Sequence, residues 1–155
     1  MTAVAIAGVG VHPWGRFPGK TFVDLAQVAC QKALEDAGLR WTDVQLLVSG
    51  ESPYVGLPGM HAGSAISEKM GFRDIPAVNV WNACATGGYA LGTARAFIIS
   101  GQCDVALCVG SFTAPGGFFG AASSDPTDMD AQRFRLLGMT NPTNFAQEAT
   151  RRMHE

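Results

Sequence analysis

Apolar residues occur in short continuous runs separated by stretches of helical spacing. Ala3 to Val9, Val44 to Val48, Ala77 to Trp81 and Asp104 to Val109 are largely unbroken apolar runs rather than alternating ones. A strand covered on both faces reads this way, because neither row of side chains meets water. Between the first two runs, Val23, Leu25, Ala26, Ala29, Ala33, Leu34 and Ala37 recur at roughly helical spacing. Thr21, with Asp24 three residues on, predicts a capping box at the start of that helix, and Gly38 supplies its stop. A shorter helix is expected over His61 to Met70, ended by Gly71. Another, rich in small residues, is expected over Ala85 to Ile99, with Gly101 after it. Strand and helix alternate three times and a strand follows. That order predicts an α/β fold in which a largely parallel sheet is flanked by helices on both faces.

From Gly110 the pattern is lost. A Gly/Phe patch at Pro115 to Gly120 leads into SSDPTDMDAQ, which has no apolar period, and Asn141-Pro142 then opens a helix over Phe145 to His154. We therefore expect an α/β domain over residues 1–110 and a different region over 111–155. A segment this long without strands is usually functional or incomplete. The last helical pattern stops at Glu155 without a capping residue, which favours a truncated region.

Composition narrows the function. The chain has 155 residues, 47% of them hydrophobic and only 15% charged, against about 25% charged in an ordinary soluble domain. Such a surface is buried or covered by a partner. Thirteen acidic and eleven basic side chains give a net charge of −2 without a basic cluster. Nucleic acid and anionic lipid surfaces are thereby excluded as main ligands. No apolar run reaches the length of about 18 residues expected of a membrane span. The N-terminus has no charged region of the kind that opens a signal peptide, so a cytoplasmic chain is expected. The cysteines, Cys30, Cys84, Cys103 and Cys108, form no C-x-x-C pair and have no histidine at zinc-like spacing, so no metal site is expected. Cys30, Cys103 and Cys108 read as small buried hydrophobes. Gly8 and Gly10 follow an apolar run, but the third glycine and the immediate helix of a dinucleotide fingerprint are missing. Glu51, Glu68 and Asp74 have no paired spacing and read as solvated.

Cys84 differs from the other three. It directly follows an expected strand and precedes a helix made permissive by Gly87, Gly88 and Gly92. Ligands gather at the carboxyl ends of parallel strands. Unpaired N–H groups and the positive dipole end at a helix start favour a thiolate, and could hold an oxyanion on an acyl group bonded to sulfur. Position alone leaves two readings open, an activated nucleophile and a packed core thiol.

The residues around it carry a resemblance. The segment IPAVNVWNACATGGYALGTARAFIISGQCDVALCVG, Ile75 to Gly110, resembles the nucleophile region of the thiolase superfamily. Its N-x-C-A-T-G string at Asn82 to Gly87 and the D-V-x-L-x-x-G strand after the helix are the specific parts. The opening AIAGVGVHPWGRF, the following TFVDLA and KALEDAG, and the tail GMTNPTNFAQEATRRMHE resemble the branch of sterol-carrier-protein-type thiolases and acetyl-CoA acetyltransferases. The resemblance implies a thiolase-like N-terminal half over residues 1–110, with the truncated beginning of a loop (lid) domain over residues 111–155. It also implies acyl transfer through a thioester on Cys84, with a coenzyme A thioester as substrate, no covalently bound cofactor, and the Cys84 N–H as one oxyanion donor. Leu137, Gly138 and Met139 match the part of the loop domain that lines the acyl or pantetheine pocket. Phe112, Phe118 and Phe119 would suit a bulky acyl chain. Ala77, Val78, Asn79, Val80 and Trp81 match the strand at a homodimer interface.

The same resemblance implies that the site is incomplete. The activating histidine, a second cysteine or equivalent acid/base, and a further glycine N–H belong to a second half of the family's fold, and none of those motifs is present. His12, His61 and His154 stand in the wrong context. A C-terminal half or complementary subunit is therefore required, and the 155-residue chain alone is expected to be inactive. Some relatives work beside a zinc-ribbon/OB-fold companion protein, and some perform retro-aldol cleavage. Two further readings stand beside the acyltransferase: a non-catalytic, CoA-binding interface subunit, and a condensing enzyme of the ketoacyl-synthase type.

Overall fold

The computed structural model describes residues 3–50, 57–113, 127, 129 and 141–155. Two compact units, residues 1–113 and 114–155, make up the chain.

In the first unit, helix α1 (Phe22–Ala37) begins as its sequence requires. The Thr21 side chain accepts from the Asp24 N–H at 3.2 Å, and Asp24 Oδ2 accepts from the Thr21 N–H at 2.9 Å. Two orphan donors of the helix start are thus satisfied reciprocally. Gly38 ends it in the left-handed conformation, φ 66°, where a side chain would be strained. Phe22, Ala26, Cys30 and Leu34 are its buried face. They recur every four residues and so line one stripe.

The sheet has three parallel strands, β1 (Leu46–Gly50), β2 (Ala77–Val80) and β3 (Ala106–Val109), in the order β2-β1-β3. The central strand β1 is buried at every residue. Successive side chains alternate between faces. Leu47 accordingly joins α1 and α3 (Ala62–Gly71), while Leu46 and Val48 join Ala90 and Ala94 of α4 (Thr86–Ile99). A one-turn helix, α2 (Leu57–Met60), precedes α3. Gly63 lets α3 lie close to the sheet, since a Cβ there would stand 3.0 Å from Asn79 Oδ1 and 3.3 Å from the Ala77 Cβ. The entry to β3 is held by the Gln45 side chain, whose Oε1 accepts from the Asp104 N–H at 2.6 Å. The α/β expectation of a parallel sheet flanked on both faces is met.

One expected strand is absent. Ala3 to Val9 belongs to no ladder. Its polar groups turn to α1 instead. The Val9 N–H donates to Asp36 Oδ2 at 2.8 Å, and Lys32 Nζ donates to the Val11 carbonyl at 3.2 Å. Gly8 and Gly10 rest on the α1 backbone. A Cβ on Gly8 would stand 2.5 Å from the Ala33 carbonyl oxygen, and one on Gly10 would strike the Ala29 carbonyl and the Ala33 nitrogen. These glycines serve helix contact, which accounts for a Gly-x-Gly without the rest of a nucleotide motif. Ile6, Val9 and Val11 are left exposed.

In the second unit, α5 (Asn141–His154) starts one turn earlier than its pattern suggested. Proline is well suited to a first helical turn, and Pro142 stands there. Arg151 and Arg152 close the helix on Glu155 at 3.1 and 3.3 Å.

Candidate active site

The sheet's connections prepare a crevice. The chain leaving β1 goes to α3 on one face, and the chain leaving β2 goes to α4 on the other. Neighbouring strands whose continuations diverge in this way leave an opening at their carboxyl ends. Gly50 ends β1 there, and Cys84 stands just beyond β2.

Cys84 lies in a 3₁₀ turn, Ala83–Ala85, that runs directly into α4. The Ala85 N–H donates to the Asn82 carbonyl at 2.9 Å, closing the turn. Ala83 has φ 44°, the one positive φ outside glycine among the described residues. For a residue with a Cβ that conformation costs about 1–2 kcal/mol, and such residues concentrate where a side chain must be aimed. No side chain caps the first turn of α4. The Thr86 N–H at this start is taken by the Ala83 carbonyl, so what the helix start offers an anion beside the cysteine is the positive end of its dipole. Around it, a Cβ on Gly87, Gly88 or Gly92 would meet nothing within 4 Å.

The four thiols divide sharply. Cys84 is exposed, Cys30 and Cys103 are buried, and Cys108 is partly buried. Burial pushes the Cys30 thiol up to about 12 and the Cys108 thiol up to about 11, and raises Cys103 in the same direction, with the Asp104 charge as a second cause. An uncharged thiol in apolar surroundings is a poor nucleophile. Cys108 Sγ instead donates to the Ala90 carbonyl at 3.6 Å.

Within the first unit, neither His12 nor His61 bonds to Cys84. His12 packs edge-on against Phe17 with centroids 4.6 Å apart, His61 stands at the start of α3, and His154 lies in α5. Glu68 and Asp74 are exposed, as expected. Leu137, Gly138, Met139, Phe118, Phe119 and Glu51 lie outside the described residues, and Phe112 is partly exposed. No group of three or more His, Cys, Asp or Glu among the described residues could hold a metal. No helix among them is long and apolar enough to cross a membrane. Sequence reasoning named Asn79 only within the expected dimer strand and passed over Thr86. Asn79 Oδ1 accepts from the Gly63 N–H at 2.8 Å, tying β2 to the start of α3, and Thr86 holds the cysteine turn. The one signal for Thr86 was its place in the N-x-C-A-T-G string.

The family described as Thiolase, N-terminal domain, matches residues 4–113, which include the whole sheet and the cysteine turn. The chain belongs to the thiolase family. It is 33% identical over its full length to an acetyl-CoA acetyltransferase of Methanocaldococcus jannaschii, of which it spans 40%. It is 34% identical over 131 residues to human sterol carrier protein 2, covering 81% of this chain and 23% of that one. Among solved structures, a variant of Xanthomonas campestris OleA superposes with a TM-score of 0.57 at 25% identity, covering 76% of this chain and 35% of the other. A tetronic acid condensing enzyme, AbyA1, gives 0.55 at 27% identity, over 61% of this chain and 31% of that one. The thiolase family thus stands here with condensing enzymes as fold neighbours, and this chain spans well under half of the relatives it matches.

Proposed function

We propose that this chain supplies the nucleophile half of a thiolase-type acyltransferase. The Cys84 thiolate attacks the thioester carbonyl of an acyl-CoA, breaking the C–S bond and releasing CoA thiolate. Alternatively, it attacks the 3-oxo carbonyl of a 3-oxoacyl-CoA, breaking the C2–C3 bond so that the shortened acyl group stays on sulfur and the C1–C2 CoA thioester leaves as a carbanion that takes up a proton. Splitting the transfer through a covalent thioester is the usual gain from such a nucleophile. The observation that carries this reading is the placement of one exposed thiol at an uncapped helix start, while the other three are buried or partly buried. The names of the relatives support a CoA thioester. So does an OleA variant captured with lauric acid and lauroyl-CoA, to which this chain is 25% identical with a TM-score of 0.54.

The proton-transferring histidine, the second acid/base and the remaining oxyanion donor come from further polypeptide, either a C-terminal half or a complementary subunit. Leu137, Gly138 and Met139 contact the acyl or pantetheine portion. Support for a missing cover comes from α4, whose Tyr89 and Leu91 are exposed although the helix is apolar nearly all round. Such a helix belongs to a larger interior. The open edge of β2 and the exposed Trp81 favour pairing with a second copy through Ala77 to Trp81.

Alkylation with iodoacetamide near pH 7.5, followed by peptide mass analysis, tests the nucleophile. Cys84 should be labelled well ahead of Cys30, Cys103 and Cys108, and Cys84→Ala should remove the fast phase without altering the thermal midpoint. Equal labelling of all four would end the proposal. Thiolysis of acetoacetyl-CoA by the chain alone should be undetectable, and robust turnover would refute the requirement for a second half.

A further inference from the structure

The strained turn has a single side chain gripping it from within. Thr86 Oγ1 accepts from the Asn82 N–H at 2.9 Å and donates to the Ala83 carbonyl at 2.7 Å. The Thr86 backbone N–H bonds the same carbonyl. One hydroxyl therefore spans every soft torsion of Asn82 and Ala83, including the left-handed one. The Ala83 carbonyl and the Cys84 N–H belong to one planar trans peptide and point in opposite directions. Fixing the carbonyl fixes the N–H. The other arm of Thr86 is also constrained, because a Cβ on Gly50, at the end of β1, would stand 2.8 Å from its Cγ2. The Thr86 methyl thus lies against the end of β1, and its hydroxyl holds the peptide that carries the cysteine.

We propose that Thr86 is a positioning residue for acyl transfer, holding the Ala83–Cys84 peptide so that the Cys84 N–H meets the oxyanion. This rests on the reading of Cys84 as the acyl-accepting nucleophile. Thr86 touches no reacting atom and acts through the peptide it grips.

Two reagents separate aiming from general reactivity. With p-nitrophenyl acetate, the Cys84 thiolate adds to the carbonyl carbon and negative charge gathers on its oxygen. The bond to p-nitrophenolate then breaks, leaving an acetyl thioester, the thiol proton having gone to solvent. Iodoacetamide is attacked at a saturated carbon with loss of iodide and forms no oxyanion. In the full chain, Thr86→Val should slow acylation of Cys84 about tenfold while leaving alkylation within about twofold, a smaller loss than the roughly 100- to 1000-fold of removing an oxyanion donor outright, because the donor is misaimed rather than lost. Thr86→Ser keeps the hydroxyl and should restore acylation. Gly50→Ala should reproduce the defect by displacing the Thr86 methyl, and Gly50→Ala with Thr86→Ser, which has no methyl there, should relieve it. That pair decides the matter if Thr86→Val does not fold. An unchanged ratio of acylation to alkylation in Thr86→Val, or a failure of the double variant to recover, overturns the role of Thr86 alone. Should Cys84 of the unaltered chain show no preference over the other thiols with either reagent, the nucleophile reading falls and this inference with it.

Discussion

Helices α1 and α4 pack on opposite faces of the same sheet and are built on opposite plans. α1 has a reciprocal cap, a glycine stop and a buried stripe at every fourth residue from Phe22 to Leu34. α4 has no side-chain cap, glycines in its first turns and only two buried residues, Ala90 and Ala94. The cap, the stop and the core against which α1 packs all lie in this chain. In the function proposed above, the start of α4 faces a ligand, and its exposed Tyr89 and Leu91 face the second half. Scaffold and working part are therefore separable, and the separation can be tested one residue at a time.

The largest expected effect lies in the scaffold. Leu34 is 7% exposed and closes the α1 stripe against the core. Leu34→Ala should cost about 2–5 kcal/mol, the usual range for emptying such a site, read as a lowered urea midpoint. A loss below about 1 kcal/mol would mean that α1 is held by something other than its stripe.

The cap and stop of α1 were legible in the sequence, because each depends on residues within a few positions of one another, but its stripe was legible only in part: Ala26 and Leu34 stood in the apolar period and Phe22 did not. Strands β1, β2 and β3 were legible from their short apolar runs, although only β1 is buried at every residue, β3 being buried at alternate residues and β2 partly exposed throughout. Ala3 to Val9 carries the same run and is not a strand. Strand formation needs a neighbour, and this segment has its Val9 N–H committed to Asp36 and its two glycines seated on α1. No local pattern distinguishes an apolar segment that pairs with a strand from one that lies along a helix. Cys84 was legible as the odd thiol by its place after a strand. The left-handed Ala83 and the grip of Thr86 were not, because alanine advertises no positive φ and the Gly50 contact joins residues distant in sequence.

A smaller effect should appear with pH. Asp24 accepts from the Thr21 N–H at 2.9 Å and the Thr21 hydroxyl at 2.8 Å, and it pairs with Lys69 at 2.9 Å. The Thr21 backbone bond first, then Lys69 and the Thr21 hydroxyl, hold its carboxyl well below the usual carboxylate range. The unfolded chain, with an ordinary carboxylate near pH 4, therefore takes up a proton before the folded one. The stabilisation is present above that pH and is lost as pH falls toward the folded value. Asp24→Asn should flatten the dependence of the thermal midpoint between about pH 5 and pH 2. An undiminished acid slope would assign the loss to other carboxylates.

The smallest effect should be on α4, and it sharpens the contrast most. Leu91 is 52% exposed, so Leu91→Ser removes little that this chain buries and should change its unfolding free energy by no more than about 0.5 kcal/mol. The same substitution in an assembly containing the second half should be far more disruptive. There the side chain would lie in an interior, and a hydroxyl would replace buried hydrocarbon without a partner. Comparing the two backgrounds by urea titration measures the cover directly. An equal, small loss in both would leave the outer face of α4 at a solvent surface, and a large loss in the chain alone would show that Leu91 is already engaged. Only a loss confined to the assembly matches a helix whose N-terminal end serves chemistry and whose flank is reserved for the rest of the fold.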